Sequence, residues 1–221
     1  FGALGTAVVV GLFNGFVTLR FNIPSFITTL GTLFIIRSGA RVIHGNKPLM
    51  FRADETFFDI LTHKIFGVVP AQFVWFVIFA IIAYFILNRH RLGNRFFAVG
   101  GNAEAARSVG INVYWTKMTA FVICSLFATV AGILSVARQK AVTVEPQLYL
   151  ELKIVAVCVV GGVSLFGGRG AVLGIFFGAI ILEMVKDVLI LGHAPGYYLE
   201  VFIGMVIVVA VIFNTWAQKR Y

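Results

Sequence analysis

Apolar runs and short polar breaks alternate along the whole chain. Apolar stretches cover 1–19, about 23–43, Pro70–Leu87, Met118–Ala137, Ala171–Leu191 and Leu199–Asn214, with a further one within 153–170. Most are close to the ~20 residues an α-helix needs to cross the hydrocarbon core of a bilayer. The pattern predicts an all-α fold, a polytopic transmembrane helix bundle. It has about six or seven membrane segments, the number depending on how far 153–170 crosses. Gly161-Gly162 interrupts the apolar run, so at least one helix is expected to be broken or re-entrant. Unwound backbone at that depth needs protein or water to satisfy it, and broken helices often mark a solute path.

Composition agrees with the pattern. Of 221 residues, 60% are hydrophobic and 12% charged, and mean hydropathy is +0.97. Soluble domains carry about 25% charged residues, so this chain lacks the polar side chains to coat a globule. No ten-residue alternation suggests an outer-membrane barrel. The formal net charge is +9, but the cations lie mostly between the apolar runs and form no nucleic-acid patch. Cys124 and Cys158 fall within apolar runs and read as small buried hydrophobes. His44, His63, His90 and His193 are scattered, with no ligand spacing, so no metal and no cofactor are expected. No nucleophile, base and orienting group stand at suggestive spacing, so the chain is not expected to be an enzyme. Nothing before Phe1 resembles a charged leader with a cleavage site, so no signal peptide is expected.

Polar groups within apolar runs are the candidates for a translocation path. They are Asn14, Thr28, Thr29, Thr32, Ser164 and Glu183, together with the helix-breaking Gly161 and Gly162. Asn14 equally fits a hydrogen bond between helices, and the threonine hydroxyls equally fit bonds back to their own helix. Gly11 with Gly15, and Gly170 with Gly174 and Gly178, form stripes that let another helix approach closely. Pro24 suits the first turn of a helix. Glu183, Lys186 and Asp187 share a face at i, i+3 and i+4 and are able to pair. They either serve a function within the membrane or form an ion pair near its outer surface. Gly167-Gly168-Arg169-Gly170 makes a tight turn and lacks the Lys-Ser/Thr of a phosphate loop. ATP is therefore not expected to bind this chain.

The longest polar break with a local signature is 88–117. Arg89, Arg91, Arg95, Arg107 and Lys117 oppose Glu104 there, and the positive-inside rule puts the loop in the cytoplasm. A short helix outside the membrane is predicted over 102–110. Asn102 is its N-cap, Glu104 sits in the first turn, and Gly110 is a left-handed stop. Ala103, Ala106 and Gly110 share a small, smooth face suited to a soluble partner. The second polar break, 44–69, holds Lys47, Pro48, Arg52, Asp54, Glu55, Asp59 and Lys64 and is long enough to carry function. Arg138 to Lys153, with Glu145, Pro146 and Glu151, is expected to be an outer connection. Lys219 and Arg220 end the chain on the cytoplasmic side.

Glu104-Ala105-Ala106, three residues and Gly110 resemble the EAA loop of ABC importer permeases. With Gly100-Gly101-Asn102 before it and Gly110-Ile111-Asn112 after it, the run is similar to the ribose/xylose/galactose type of bacterial monosaccharide permease. Pro24-Ser25-Phe26-Ile27-Thr28-Thr29-Leu30-Gly31-Thr32 and the run from Leu150 to Gly170 resemble the same family. Lys153 stands where that family usually has an acidic residue, and Leu150 where a Tyr is usual.

The resemblance implies a single transmembrane permease domain over 1–221, lacking N-terminal spans of the family, with 88–117 as cytoplasmic coupling loop. Gly101, Asn102, Glu104, Ala105, Ala106, Arg107 and Gly110 would couple it to a cytoplasmic ATP-binding cassette ATPase. A periplasmic sugar-binding protein, docking near 44–69, and a second permease copy would complete an inner-membrane importer. Branched-chain amino acid, nucleoside or autoinducer permeases share the architecture. An ATP-independent carrier or channel and a structural scaffold are the readings from other classes.

Overall fold

A computed structural model of the chain describes residues 1–45, 49–50, 61–62, 64–65, 69–142, 150–165, 167–193, 195 and 197–218. The expected binding-protein loop over 44–69 lies largely outside these residues, as do Glu145, Pro146, Lys219 and Arg220. The protein is helical. Its helices are α1 Gly2–Phe21, α2 Ser25–His44, α3 Ala71–Asn88, α4 Arg91–Gly101, α5 Ala103–Ser108, α6 Val113–Gln139, α7 Leu150–Val160, α8 Val172–Leu191 and α9 Tyr197–Gln218. Two antiparallel pairings of two residues each add to them, Leu49–Met50 with Ala141–Val142 and Lys64–Ile65 with Val69–Pro70. Among the described residues, α1, α2, α3 and α6 are long and apolar enough to cross a membrane.

Several boundaries differ from the expected ones. α6 starts at Val113, not Met118, because the Asn112 side chain caps it through the Trp115 amide at 3.1 Å. Pro24 is the N-cap of α2 and the helix proper starts at Ser25. Leu150–Lys153 belong to α7 and not to a connection.

Large apolar side chains point outward on the long helices. Phe34, Ile35, Val42, Met184 and Val188 are all more than half exposed, while the buried positions are mostly small or hydroxyl-bearing. They include Ala7, Ala71, Ala106, Ala137 and Ala156 with Asn14, Thr28, Thr32 and Thr116. Such an arrangement suits lipid, where apolar residues gain nothing by burial and close backbone packing holds helices together.

The chain forms two compact units, Phe1–Phe79 with Ile111–Pro146, and Ala80–Gly110 with Gln147–Tyr221. In the first, α1 packs along α6. A Cβ on Gly11 would meet the Ser125 hydroxyl and the Val122 backbone, and one on Gly15 would meet Met118 Sδ at 2.6 Å. The expected close approach at Gly11 and Gly15 is therefore made by α6. In the second unit α7, α8 and α9 share a core of Ala156, Leu182 and Ile203.

Candidate functional site

The stretch 88–117 folds as two short helices rather than the single one expected. His90 caps α4 by accepting from the Leu92 amide at 3.2 Å. α4 then turns one face inward, burying Gly93 and Val99. Gly93 sits against the backbone of Leu87, where a Cβ would overlap the Leu87 carbonyl. Only glycine permits so tight a junction between the end of α3 and α4.

Asn102 separates α4 from α5 and does what its position predicts. Its Oδ1 accepts from the amides of Glu104 and Ala105, each at 3.0 Å. Gly110 has φ +84°, the left-handed stop, and its amide donates to the Arg107 carbonyl at 3.0 Å. The exposed side of α5 is not the small face expected to meet a partner. Of that face Ala106 is 3% exposed and Ala103 half-buried, while Gly110 is exposed, as are Glu104, Ala105, Arg107 and Ser108. The alanine face packs inward because a small apolar side chain is what close packing accepts. The acid–base face is left for solvent or a partner.

Sequence reasoning missed what α4 rests on. Gly100 and Gly101 lie directly on Gly167 and Gly168 of the turn between α7 and α8. A Cβ on Gly100 would stand 2.5 Å from the Gly168 nitrogen, and one on Gly168 would stand 2.7 Å from the Gly101 Cα. Gly167 and Gly168 have φ of +94° and +76°, a conformation that L side chains adopt at a cost. The turn is closed by the Ser164 amide donating to the Arg169 carbonyl at 3.0 Å and the Gly167 amide to the Ser164 carbonyl at 3.2 Å. Ser164 is thus a loop-closing residue in this structure.

The helix break is also explained. α7 ends in a Schellman motif: the Gly162 amide donates to the Val159 carbonyl and the Val163 amide to the Cys158 carbonyl, both at 2.9 Å, with Gly162 at φ +78°. These main-chain groups satisfy one another, so the break does not by itself require water. Eleven residues of α7 extend about 16 Å, half of a bilayer core. α7 and α8 run antiparallel in a glycine seam. A Cβ on Gly161 would meet the Gly174 backbone at 2.7 Å, one on Gly178 would meet the Val157 carbonyl oxygen at 2.7 Å, and Gly170 faces Val163.

The remaining path candidates fall into two groups. In the first unit Thr32 donates to Asn14 Oδ1 at 2.6 Å and to its own helix at the Thr28 carbonyl, 3.0 Å. Thr29 donates to the carbonyls of Ser25 and Phe26 at 2.9 and 3.2 Å. Asn14, Thr28 and Thr32 are all buried, and the Thr28 hydroxyl has no partner among the described residues. In the second unit Glu183 pairs with Lys186 at 2.9 Å, as its spacing allows, and also with Lys153 of α7. Asp187 is exposed. Among the described residues no three His, Cys, Asp or Glu side chains gather as a metal site.

Residues 1–211 match the family model described as branched-chain amino acid transport system / permease component. The chain belongs to this permease family. Similar proteins include the L-arabinose transport system permease protein of Escherichia coli, 35% identical over 207 residues, which are 93% of this chain and 62% of that protein. The L-arabinose ABC transporter permease protein of Azospirillum brasilense is 32% identical over 214 residues, 96% of this chain and 62% of that protein. An autoinducer 2 import system permease protein of Klebsiella pneumoniae is 35% identical over 201 residues, 90% of this chain and 57% of that protein. The chain thus spans about three fifths of the length of these permeases. No solved structure matches it.

Proposed function

We propose that the chain is the membrane-spanning part of an ABC importer permease that moves a monosaccharide across the bacterial inner membrane. Energy comes from a separate cytoplasmic ATPase, and solute from a periplasmic sugar-binding protein. Membership of the permease family and two relatives named for L-arabinose support the sugar; the relative named for autoinducer 2 supports a solute of similar transport class.

The observation that carries the mechanism is the backbone contact of Gly100 and Gly101 with Gly167 and Gly168. Glu104, Ala105 and Arg107 present an acid–base edge to the ATPase, with Gly101, Asn102 and Gly110 fixing its angle. A force on α5 then passes through α4 to the turn, because no flexible side chain intervenes at that contact. The turn joins α7 to α8, so the stroke reaches the pair that holds the helix break. Alternating access follows if the nucleotide-bound ATPase favours one packing of that pair. In this reading 88–117 and the C-terminus face the cytoplasm, α8 and α9 also cross the membrane, α7 is a half-span, and a second copy completes the pore.

Glu104→Lys reverses the charge on an exposed helix without touching the core. It is expected to cut sugar uptake by about tenfold or more in cells making the whole transporter, with unchanged membrane abundance. Uptake at the level of the unsubstituted protein, or purification of the intact complex without an ATPase, overturns the proposal.

A further inference from the structure

Lys153, Glu183 and Lys186 form one ion cluster on α7 and α8, and its depth is informative. α8 has 20 residues, about 30 Å of helix, and Glu183 is near its middle. The Glu183 side chain is 51% exposed, Lys186 34% and Lys153 16%. Ile180 and Met184, within a turn of Glu183 along α8, are exposed as well. With α8 crossing the membrane, as proposed above, a half-exposed carboxylate and two ammonium groups near its middle are too costly to face hydrocarbon, and such groups turn to a water-filled cavity or to protein.

The cluster's hydrogen-bonding capacity narrows the occupant. Each carboxylate oxygen of Glu183 already accepts from one lysine. An ammonium has three N–H groups and a carboxylate about four acceptor sites, so the cluster still donates and accepts side by side. A hydroxyl does both at once. A metal cation is poorly served, since among the described residues no three His, Cys, Asp or Glu side chains gather there.

We propose that Lys153, Glu183 and Lys186 line the aqueous solute path of the assembled permease and hold the hydroxyls of a neutral polyhydroxylated solute in transit. The inference rests on the permease reading for the word solute and for α8 as a span; its first test needs only the second. In the complete transporter, with Cys124 and Cys158 replaced by Ala, Glu183→Cys and Lys186→Cys are expected to react with a charged, membrane-impermeant methanethiosulfonate. Where Glu183→Cys fails to accumulate, Ile180→Cys on the same face replaces it. Labelling by a lipid-soluble maleimide alone, or spontaneous disulfides between copies at position 183, overturns the proposal. The second test is uptake of L-arabinose and D-ribose. Lys153→Glu and Glu183→Lys each lose uptake, and the double exchange recovers part of it; single variants with undiminished uptake overturn the proposal. If the unsubstituted transporter takes up neither sugar, the permease reading is what fails, and thiol reactivity still decides whether the cluster faces water.

Discussion

Glycine is used in two different ways in the two units. Along α1 and α6, Gly15 makes room for Met118 Sδ, the end of an unbranched side chain. Under α4, Gly100 makes room for the backbone of Gly168, and in the α7–α8 seam Gly161 makes room for the backbone of Gly174. A methionine swings aside at little cost; a main chain pinned by its own hydrogen bonds does not. The same residue type therefore gives a compliant contact at Gly15 and unyielding ones at Gly100 and Gly161, with Gly11, set against the Ser125 hydroxyl and the Val122 backbone, between the two. Elements meant to transmit displacement need the second kind.

Three substitutions grade this contrast. Gly168→Ala combines a left-handed backbone with a Cβ 2.7 Å from the Gly101 Cα. It is expected to destabilise by about 2–4 kcal/mol and to abolish uptake, read from the thermal midpoint of detergent-purified protein alongside a transport assay. Near-normal uptake would show that the turn and α4 part during the cycle. Gly161→Ala overlaps Gly174 without a backbone conformational penalty. Its expected cost is about 1–3 kcal/mol, seen in the same melting experiment. Gly15→Ala comes out close to neutral, because displacement of Met118 is offset by the helix propensity of Ala, about 1 kcal/mol over Gly. A large loss there would erase the distinction between a glycine set against a side chain and one set against a backbone.

What could be read from the chain beforehand was local. Asn102 and Gly110 cap α5 through neighbours within three residues, so composition and spacing suffice to place them. α4 also left a signal, with Leu92, Phe96 and Val99 on one helical face, but Arg91 and Arg95 made the segment look like a loop. The inward turn of Ala106 is invisible without knowing what lies beneath it. Contacts such as Gly100 on Gly168 and Lys153 with Glu183 join residues far apart in sequence, the latter thirty positions, and no periodicity announces them. The threonines illustrate the opposite case. Hydroxyl spacing at 28, 29 and 32 allowed either solute or self-bonding, and the observed bonds of Thr29 and Thr32 are to their own helix and to Asn14.

The Schellman ending of α7 has a mechanical corollary. Because Cys158 and Val159 give their carbonyl oxygens to amides only a few residues on, the helix travels with its own stopper. Tilting or sliding α7 as a body leaves these main-chain bonds intact. Resistance to such a movement comes from the glycine seam, from the Lys153–Glu183 pair and from the core that Ala156 shares with Leu182 and Ile203, and not from the helix end, which has nothing to unravel.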